Sequence, residues 1–165
     1  MTRDKVYLVG FMGAGKSTVA RALGRRLGWR VVDIDERIES RERKSVAAIF
    51  AQHGEPYFRQ LERQVLIELL PERNVVVATG GGTFAEADNR ALMLADGATA
   101  WLDIPLALVL RRVPTDGRRP LASDRERMEH LFLTRQLTYA MADVRIDGDK
   151  PVPEVVDRLL EWIGY

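Results

Sequence analysis

Apolar positions along this chain form short continuous runs separated by longer stretches with helical spacing, and the two kinds of segment alternate to the end. Lys5-Val6-Tyr7-Leu8-Val9-Gly10 reads as a short buried strand. Ser17 to Leu27 follows as a helix with Val19, Ala20, Leu23 and Leu27 on one face, and Gly28 stands where a C-cap belongs. Arg30 to Asp35 predicts a second strand. From Glu36 to Leu70 the spacing is helical: a charged helix around Ile38, a second opened by Ser45, a break at Gly54, and a longer amphipathic helix marked by Tyr57, Phe58, Leu61, Val65, Leu66, Leu69 and Leu70. After a turn at Pro71 and Asn74, Val75 to Thr79 is almost purely apolar, as suits a central strand covered on both faces. Glu86 to Leu94 predicts a helix, Ala98 to Leu102 a strand, Pro105 to Arg112 and Asp124 to Ala140 two helices, Val144 to Asp147 a last strand and Pro153 to Ile163 the closing helix. The alternation predicts an α/β fold of three layers, with a central parallel sheet of five strands between helices. Right-handed crossovers then gather the loops that follow the strands at one edge of the sheet.

The loop after the first strand carries the sharpest chemical signal. Gly10-Phe11-Met12-Gly13-Ala14-Gly15-Lys16-Ser17-Thr18 fits the phosphate-binding pattern G-x-x-x-x-G-K-[S/T]. Its glycines let the backbone turn sharply and bring N–H groups close to an anion. Lys16 can reach the outer phosphates as a point charge, and the Ser17 hydroxyl can ligate Mg²⁺. A glycine-rich turn with a chance Lys-Ser would match the pattern as well. Strand, glycine loop and helix start occur here in the required order, so the helix dipole points at the phosphates. The chain is therefore read as binding a nucleoside triphosphate.

The remaining strand ends supply further candidates. In an extended strand Asp33 and Asp35 share a face, and two carboxylates there call for a metal or a hydroxyl network. Alternatively, Asp35 caps the next helix. Val75–Thr79 ends in Gly80-Gly81-Gly82, where close approach of the backbone to a ligand explains three consecutive glycines better than a bare linker. That strand ends without an acid, which leaves Asp33 as the natural metal carboxylate. Arg59 lies beside the apolar stripe of its helix, and a solvated arginine would fit there equally. Val113 to Leu121 holds Pro, Gly and Asp beside Arg111, Arg112, Arg118 and Arg119, and reads as a lid over phosphates or as a solvated surface loop.

Composition narrows the classes. With 165 residues the chain is one domain, spanning 1–165, large enough for its own core. The absence of cysteine excludes disulfides, thiolate zinc sites and cysteine nucleophiles, and the two histidines, His53 and His130, form no ligand cluster. A formal net charge of +1 argues against a nucleic-acid-binding surface. Of 25 basic residues only Lys5, Lys16, Lys44 and Lys150 are lysines, a bias that fits planar anion recognition at a few positions and genomic composition at most. No signal-peptide pattern and no apolar run near ~18 residues are present, so no membrane partner and a cytoplasmic location are expected.

Taken together, the motifs resemble shikimate kinase over essentially the whole chain. They are residues 10–18, Asp33-Ile34-Asp35, Gly54-Glu55 with Phe58-Arg59 and Glu62, Thr79-Gly80-Gly81-Gly82, Arg119-Pro120-Leu121, and Arg135, Tyr139 and Ala142-Asp143. The resemblance implies a P-loop kinase architecture like that of nucleoside monophosphate kinases, with a mobile lid over about 113–123 and a substrate-binding helical segment over about 35–71. It implies phosphorylation of the 3-hydroxyl of shikimate by ATP with Mg²⁺, in aromatic amino-acid synthesis, by a monomer. It further implies ATP binding by Gly13, Ala14, Gly15, Lys16, Ser17, Thr18, Arg112 and Arg119, with Arg112 near the adenine, and metal binding by Ser17 and Asp33. Asp35, Arg59, Arg135 and Gly80–Gly82 would hold the acceptor substrate, and Lys16, Asp35 and Arg119 would carry the chemistry. Two departures stand out: no proline occurs between Arg135 and Tyr139, and Ala122 follows Leu121 where a second leucine is common. Kinases of gluconate or of nucleoside monophosphates share the loop and lid. Nucleotide kinases carry an Asp-Gly-Phe-Pro-Arg-like segment where this chain has Thr79-Gly80-Gly81-Gly82. A guanine-nucleotide switch would need Asn-Lys-x-Asp, which is absent.

Overall fold

The computed structural model describes residues 3–114 and 124–165. Its elements are β1 (Lys5–Val9), α1 (Lys16–Leu27), β2 (Arg30–Asp33), α2 (Ile34–Glu42), α3 (Val46–His53), α4 (Glu55–Leu69), β3 (Val75–Ala78), α5 (Ala87–Asp96), β4 (Ala98–Asp103), α6 (Leu106–Arg112), α7 (Arg125–Tyr139), β5 (Val144–Asp147) and α8 (Val152–Ile163). The five strands form one parallel sheet in the order β2-β3-β1-β4-β5. The inner strands β1 and β3 are buried along their whole length, while the edges β2 and β5 are half exposed, which is why only the inner runs lack polar alternation.

The connections leave β1 and β3 in opposite directions. The chain after β1 crosses β3 to reach β2, and the chain after β3 crosses β1 to reach β4. Right-handed crossovers in opposite directions lie on opposite faces, so a crevice opens between the C-terminal ends of β1 and β3. The glycine loop and Gly80–Gly82 border it. Elsewhere α1 packs against α8, and α3 rests on α2 and α4.

Two expectations from the sequence are corrected. The second strand ends at Asp33, not Asp35, because α2 already begins at Ile34. Asp33 is the cap of that helix, its Oδ1 accepting from the Glu36 N–H at 3.0 Å, and Asp35 lies in the first helical turn. The two acids therefore do not share a strand face. The helices expected from Ser45 and Asp124 do start where those caps put them, the Ser45 hydroxyl accepting from the Ala48 N–H and the Asp124 carboxylate from the Glu126 and Arg127 N–H groups.

A buried polar cluster holds the opposite edge of the sheet. Lys5 is fully buried and donates to the Leu69 and Leu70 carbonyls, at 2.6 and 3.1 Å, and to Asp96 at 2.7 Å. Tyr7 donates to the same Asp96 oxygen at 2.6 Å, and Arg73 reaches the other at 3.1 Å. Burial alone would raise the Asp96 pKa, but the hydrogen bonds from Lys5 and Tyr7 and the Lys5 charge outweigh it and hold it below the ordinary carboxylate value. The cluster ties β1 to the ends of α4 and α5, far from the crevice.

Candidate active site

At the crevice, Gly13 and Gly15 take left-handed conformations (φ 83° and 89°) that a side chain would resist. Gly15 is the N-cap of α1 and brings no side-chain acceptor, so the first-turn N–H groups are left for a ligand. Lys16 is nearly buried and folds back onto the loop, donating to the Gly10 carbonyl and, at 3.3 Å, to that of Phe11. The Ser17 hydroxyl donates to Asp33 Oδ2, so one carboxylate both caps α2 and touches the loop. Arg112, at the end of α6, donates to the Gly13 carbonyl at 3.0 Å. These groups surround an open cavity of about 440 Å³, walled by Gly13, Ala14, Gly15, Lys16, Ser17 and Thr18 on one side and by Asp33, Asp35, Gly80, Gly81 and Arg112 on the other.

A second, smaller cavity of about 60 Å³ adjoins it, and Met12, Asp35, Gly80 and Gly81 line both. Its own walls are apolar on the side of Val46, Phe50 and Phe58 and charged on the side of Arg59, Glu62 and Arg135. Arg59, which could have been a solvated arginine, is only 17% exposed and is paired with two carboxylates of its own helix. Its guanidinium donates to Glu62 at 2.5 Å and to Glu55 at 3.1 Å. Burial works against its charge, yet the two carboxylates prevail and its pKa is raised. Glu62 is wholly buried, and its second oxygen accepts from the Thr83 hydroxyl at 2.7 Å.

Arg135 is placed differently. It is 7% exposed, and among the described residues no carboxylate lies within ion-pairing distance of it. Its guanidinium sits 6.0 Å from the Phe11 ring centroid, a contact that offers a ring quadrupole in place of a counter-ion. The helix α7 runs unbroken through Arg135-Gln136-Leu137-Thr138-Tyr139, so the missing proline leaves regular backbone and an inward-facing arginine.

Two of the three glycines, Gly80 and Gly82, are needed here for space. A Cβ on Gly80 would stand 2.8 Å from both Asp35 Oδ1 and Glu62 Oε2, and one on Gly82 would stand 2.4 Å from Arg59 Nη1. Removing those side chains lets the charged groups crowd against the backbone. Of the residues expected to form the site, Gly13, Ala14, Gly15, Lys16, Ser17, Thr18, Asp33, Asp35, Arg59, Gly80–Gly82, Arg112 and Arg135 line these two adjoining cavities. Arg119, and the lid expected over 113–123 beyond Pro114, lie outside the described residues. Residue-level reading gave no role to Met12 and Phe50, whose apolar side chains look like ordinary core in the sequence.

The oxygen donors suit Mg²⁺. Ser17 and Asp33 offer a hydroxyl and a carboxylate in contact, and among the described residues no group of three or more His, Asp or Glu could enclose a metal unaided. A cation there would need phosphate oxygens and water to complete its shell, as Mg²⁺ prefers.

Comparison with known proteins agrees with the geometry. The family model described as shikimate kinase matches residues 12–164. The shikimate kinase of Persephonella marina is 44% identical over 157 residues, covering 94% of this chain and 96% of its own. Among solved structures, shikimate kinase from Aquifex aeolicus is 40% identical with a TM-score of 0.88, covering 95% of this chain and 94% of that one. Shikimate kinase from Acinetobacter baumannii in complex with shikimate is 34% identical with a TM-score of 0.93, covering 98% and 93%.

Proposed function

The chain belongs to the shikimate kinase family, and from that membership and the two joined cavities we infer that it transfers the γ-phosphoryl group of ATP to the 3-hydroxyl of shikimate. One observation carries the assignment of roles: a cavity walled by a phosphate loop meets a cavity walled by two arginines, and Asp35 faces both. The alternative acceptors, gluconate or a nucleotide, are not favoured.

ATP fills the larger cavity. Its phosphates accept from the N–H groups of the loop and of the first turn of α1, at Gly13, Ala14, Gly15, Lys16, Ser17 and Thr18. Lys16 leaves the Gly10 carbonyl for the phosphate oxygens, where negative charge shifts as the bond to phosphorus breaks. Arg112 and Arg119 attend the nucleotide, the first from the Gly13 carbonyl that it already holds. Ser17 and Asp33 would hold Mg²⁺, which when bound neutralises phosphate charge.

Shikimate fills the smaller cavity. Arg59 and Arg135 grip its carboxylate, and the Gly80–Gly82 backbone meets its ring hydroxyls. Asp35 accepts a hydrogen bond from the 3-hydroxyl and aims its oxygen at the γ-phosphorus. The new O–P bond forms as the bridging P–O bond breaks, ADP leaves, and the hydroxyl proton passes to Asp35 and then to solvent. The whole chain, 1–165, works as one kinase domain with a lid over about 113–123 and a substrate-binding segment over about 35–71. No helix among the described residues is long and apolar enough to cross a membrane, and a monomer acting in the cytoplasm, without nucleic acid or membrane as partner, fits this reading.

ADP release measured against shikimate, quinate, gluconate and nucleoside monophosphates tests the assignment. Shikimate should give by far the highest kcat/KM, and a higher value for gluconate or a nucleotide would overturn it.

A further inference from the structure

The carbonyls of the three glycines after β3 are fixed in two ways. Gly80 accepts from the Thr83 N–H and Gly82 from the Ala85 N–H, both at 3.2 Å within the turn. The Gly81 carbonyl is held by a side chain instead, accepting from the Tyr139 hydroxyl at 2.5 Å. Tyr139 is completely buried, with its ring 6.1 Å from that of Trp101. Burial, opposed by the charge and the hydrogen bond of Arg135 beside it, pushes its pKa up to about 12, so the hydroxyl is a donor at any working pH and ties the Gly81 carbonyl and the Arg135 guanidinium together.

Arg135 stands one turn earlier on the same face of α7. Its Nη1 lies 3.3 Å from the point that a Cβ on Gly81 would occupy, and the Tyr139 oxygen lies 3.9 Å from it. One turn of helix therefore carries both a cation of the smaller cavity and the hydroxyl that ties down the backbone opposite. In a planar trans peptide the Gly82 N–H points away from the Gly81 carbonyl, so holding the carbonyl fixes the direction in which the N–H is offered. Gly82 is buried and lines the smaller cavity. Among the described residues none accepts its N–H.

We propose that Tyr139 is a positioning residue for the acceptor substrate: through the Gly81 carbonyl it locks the glycine segment to the helix bearing Arg135, so that backbone and guanidinium meet one substrate molecule at a fixed separation. The proposal rests on the assignment of the smaller cavity to shikimate. Without the hydroxyl the Gly81–Gly82 peptide is free to rotate, and each binding event must order it. That cost falls on shikimate affinity and leaves the nucleotide side untouched.

Tyr139→Phe tests this by calorimetric titration with shikimate and with ADP, steady-state kinetics and a thermal melt. Kd and KM for shikimate should rise about fivefold to tenfold, the worth of one neutral hydrogen bond, with kcat and ADP affinity little changed. Tyr7→Phe is the control, because it deletes an equally buried hydroxyl at the far edge of the sheet. It should lower the melting temperature and leave shikimate affinity alone. If Tyr139→Phe does only what Tyr7→Phe does, the proposal is overturned. Should Tyr139→Phe fail to fold, the wild-type protein labelled with ¹³C at tyrosine Cζ decides: the Tyr139 resonance should move with shikimate and not with ADP, since a substrate oxygen on the Gly82 N–H polarises the same peptide. A resonance that stays in place overturns the proposal. Wild-type shikimate affinity in Tyr139→Phe, with affinity lost in Arg135→Met, sinks this inference alone, whereas wild-type affinity in both sinks the cavity assignment.

Discussion

Arg135→Met should weaken shikimate binding without weakening the protein. The arginine is 93% buried and, among the described residues, has no carboxylate partner. Burying such a charge costs several kcal/mol after relaxation. The Phe11 ring, 6.0 Å away, returns about 0.5–2 kcal/mol of that. Methionine replaces the aliphatic stem, leaves the place of the guanidinium open to the adjoining cavity and carries no charge to desolvate, so the unliganded protein should melt at the same temperature or a few degrees higher, at roughly 2–4 °C per kcal/mol for a chain of this size. With shikimate the balance reverses. A hydrogen bond to a charged group is worth about 1.5–3 kcal/mol, so losing the pairing with the carboxylate should raise Kd on the order of tenfold to a hundredfold. Melts with and without shikimate read both effects together, because saturating ligand raises the wild-type melting temperature and should raise that of the variant far less. A variant that melts well below wild type without ligand and keeps its shikimate affinity would refute the reasoning, for Arg135 would then be a structural cation.

Other expectations follow from the same contacts. Lys16→Ala should fold, since the loop carbonyls it leaves can meet water in the open cavity, yet lose turnover by several orders of magnitude; near-wild-type kcat would remove the loop from the chemistry. Asp33→Asn keeps a good helix cap and should be partly rescued by raised Mg²⁺, whereas Asp35→Asn should not respond; equal responses would undo the division of roles. Asp96→Asn should cost about 3 kcal/mol by leaving Lys5 buried without its counter-ion. Because the Asp96 pKa is depressed on folding, that contribution is complete above the unfolded value of about 3.9 and fades as pH falls through the lower folded one. The gap in melting temperature between wild type and variant should therefore be constant at neutral pH and close in acid; a gap that widens in acid would contradict the pairing.

Much of the architecture was legible because the inner strands are short apolar runs, β1 and β3 being followed closely by glycines. Val75–Ala78 is buried on both faces and its sequence has no polar position to suggest otherwise. The end of β2 was less legible. Asp33-Ile34-Asp35 alternates as a strand should, but Asp33 caps a helix that begins one residue later, and alternation over three residues cannot separate the two. The glycine loop announced itself through a fixed spacing, and Gly80–Gly82 through their cost. The latter have a second use that no local pattern encodes: at Gly80 and Gly82 the missing side chains make room for Asp35, Glu62 and Arg59. The pairing of Arg59 with Glu62 and Glu55 sits at helical spacings of three and four, and so was readable as a possibility, but burial of Glu62 depends on Thr83, 21 positions away.

The two arginines of the smaller cavity meet one problem in opposite ways. A guanidinium must be desolvated before it can grip a carboxylate in a closed site, and desolvation without a partner is costly. Arg59 avoids the cost by keeping two carboxylates of its own, one of them fully buried and held in turn by Thr83. Its charge is thus largely balanced before any substrate arrives, and its contribution is a fixed direction for its donors. Arg135 bears more of it, offset by the Phe11 ring face and the Tyr139 hydroxyl, and among the described residues it has no carboxylate of its own. On the proposed assignment, Arg135 supplies the substrate carboxylate with a cation that has no carboxylate of its own, and Arg59 supplies donors whose direction is already fixed. A neutral polyol of the same shape should therefore bind more weakly than shikimate, because it finds the donors of Arg59 and forgoes the pairing with Arg135; equal affinity for the two would contradict that assignment.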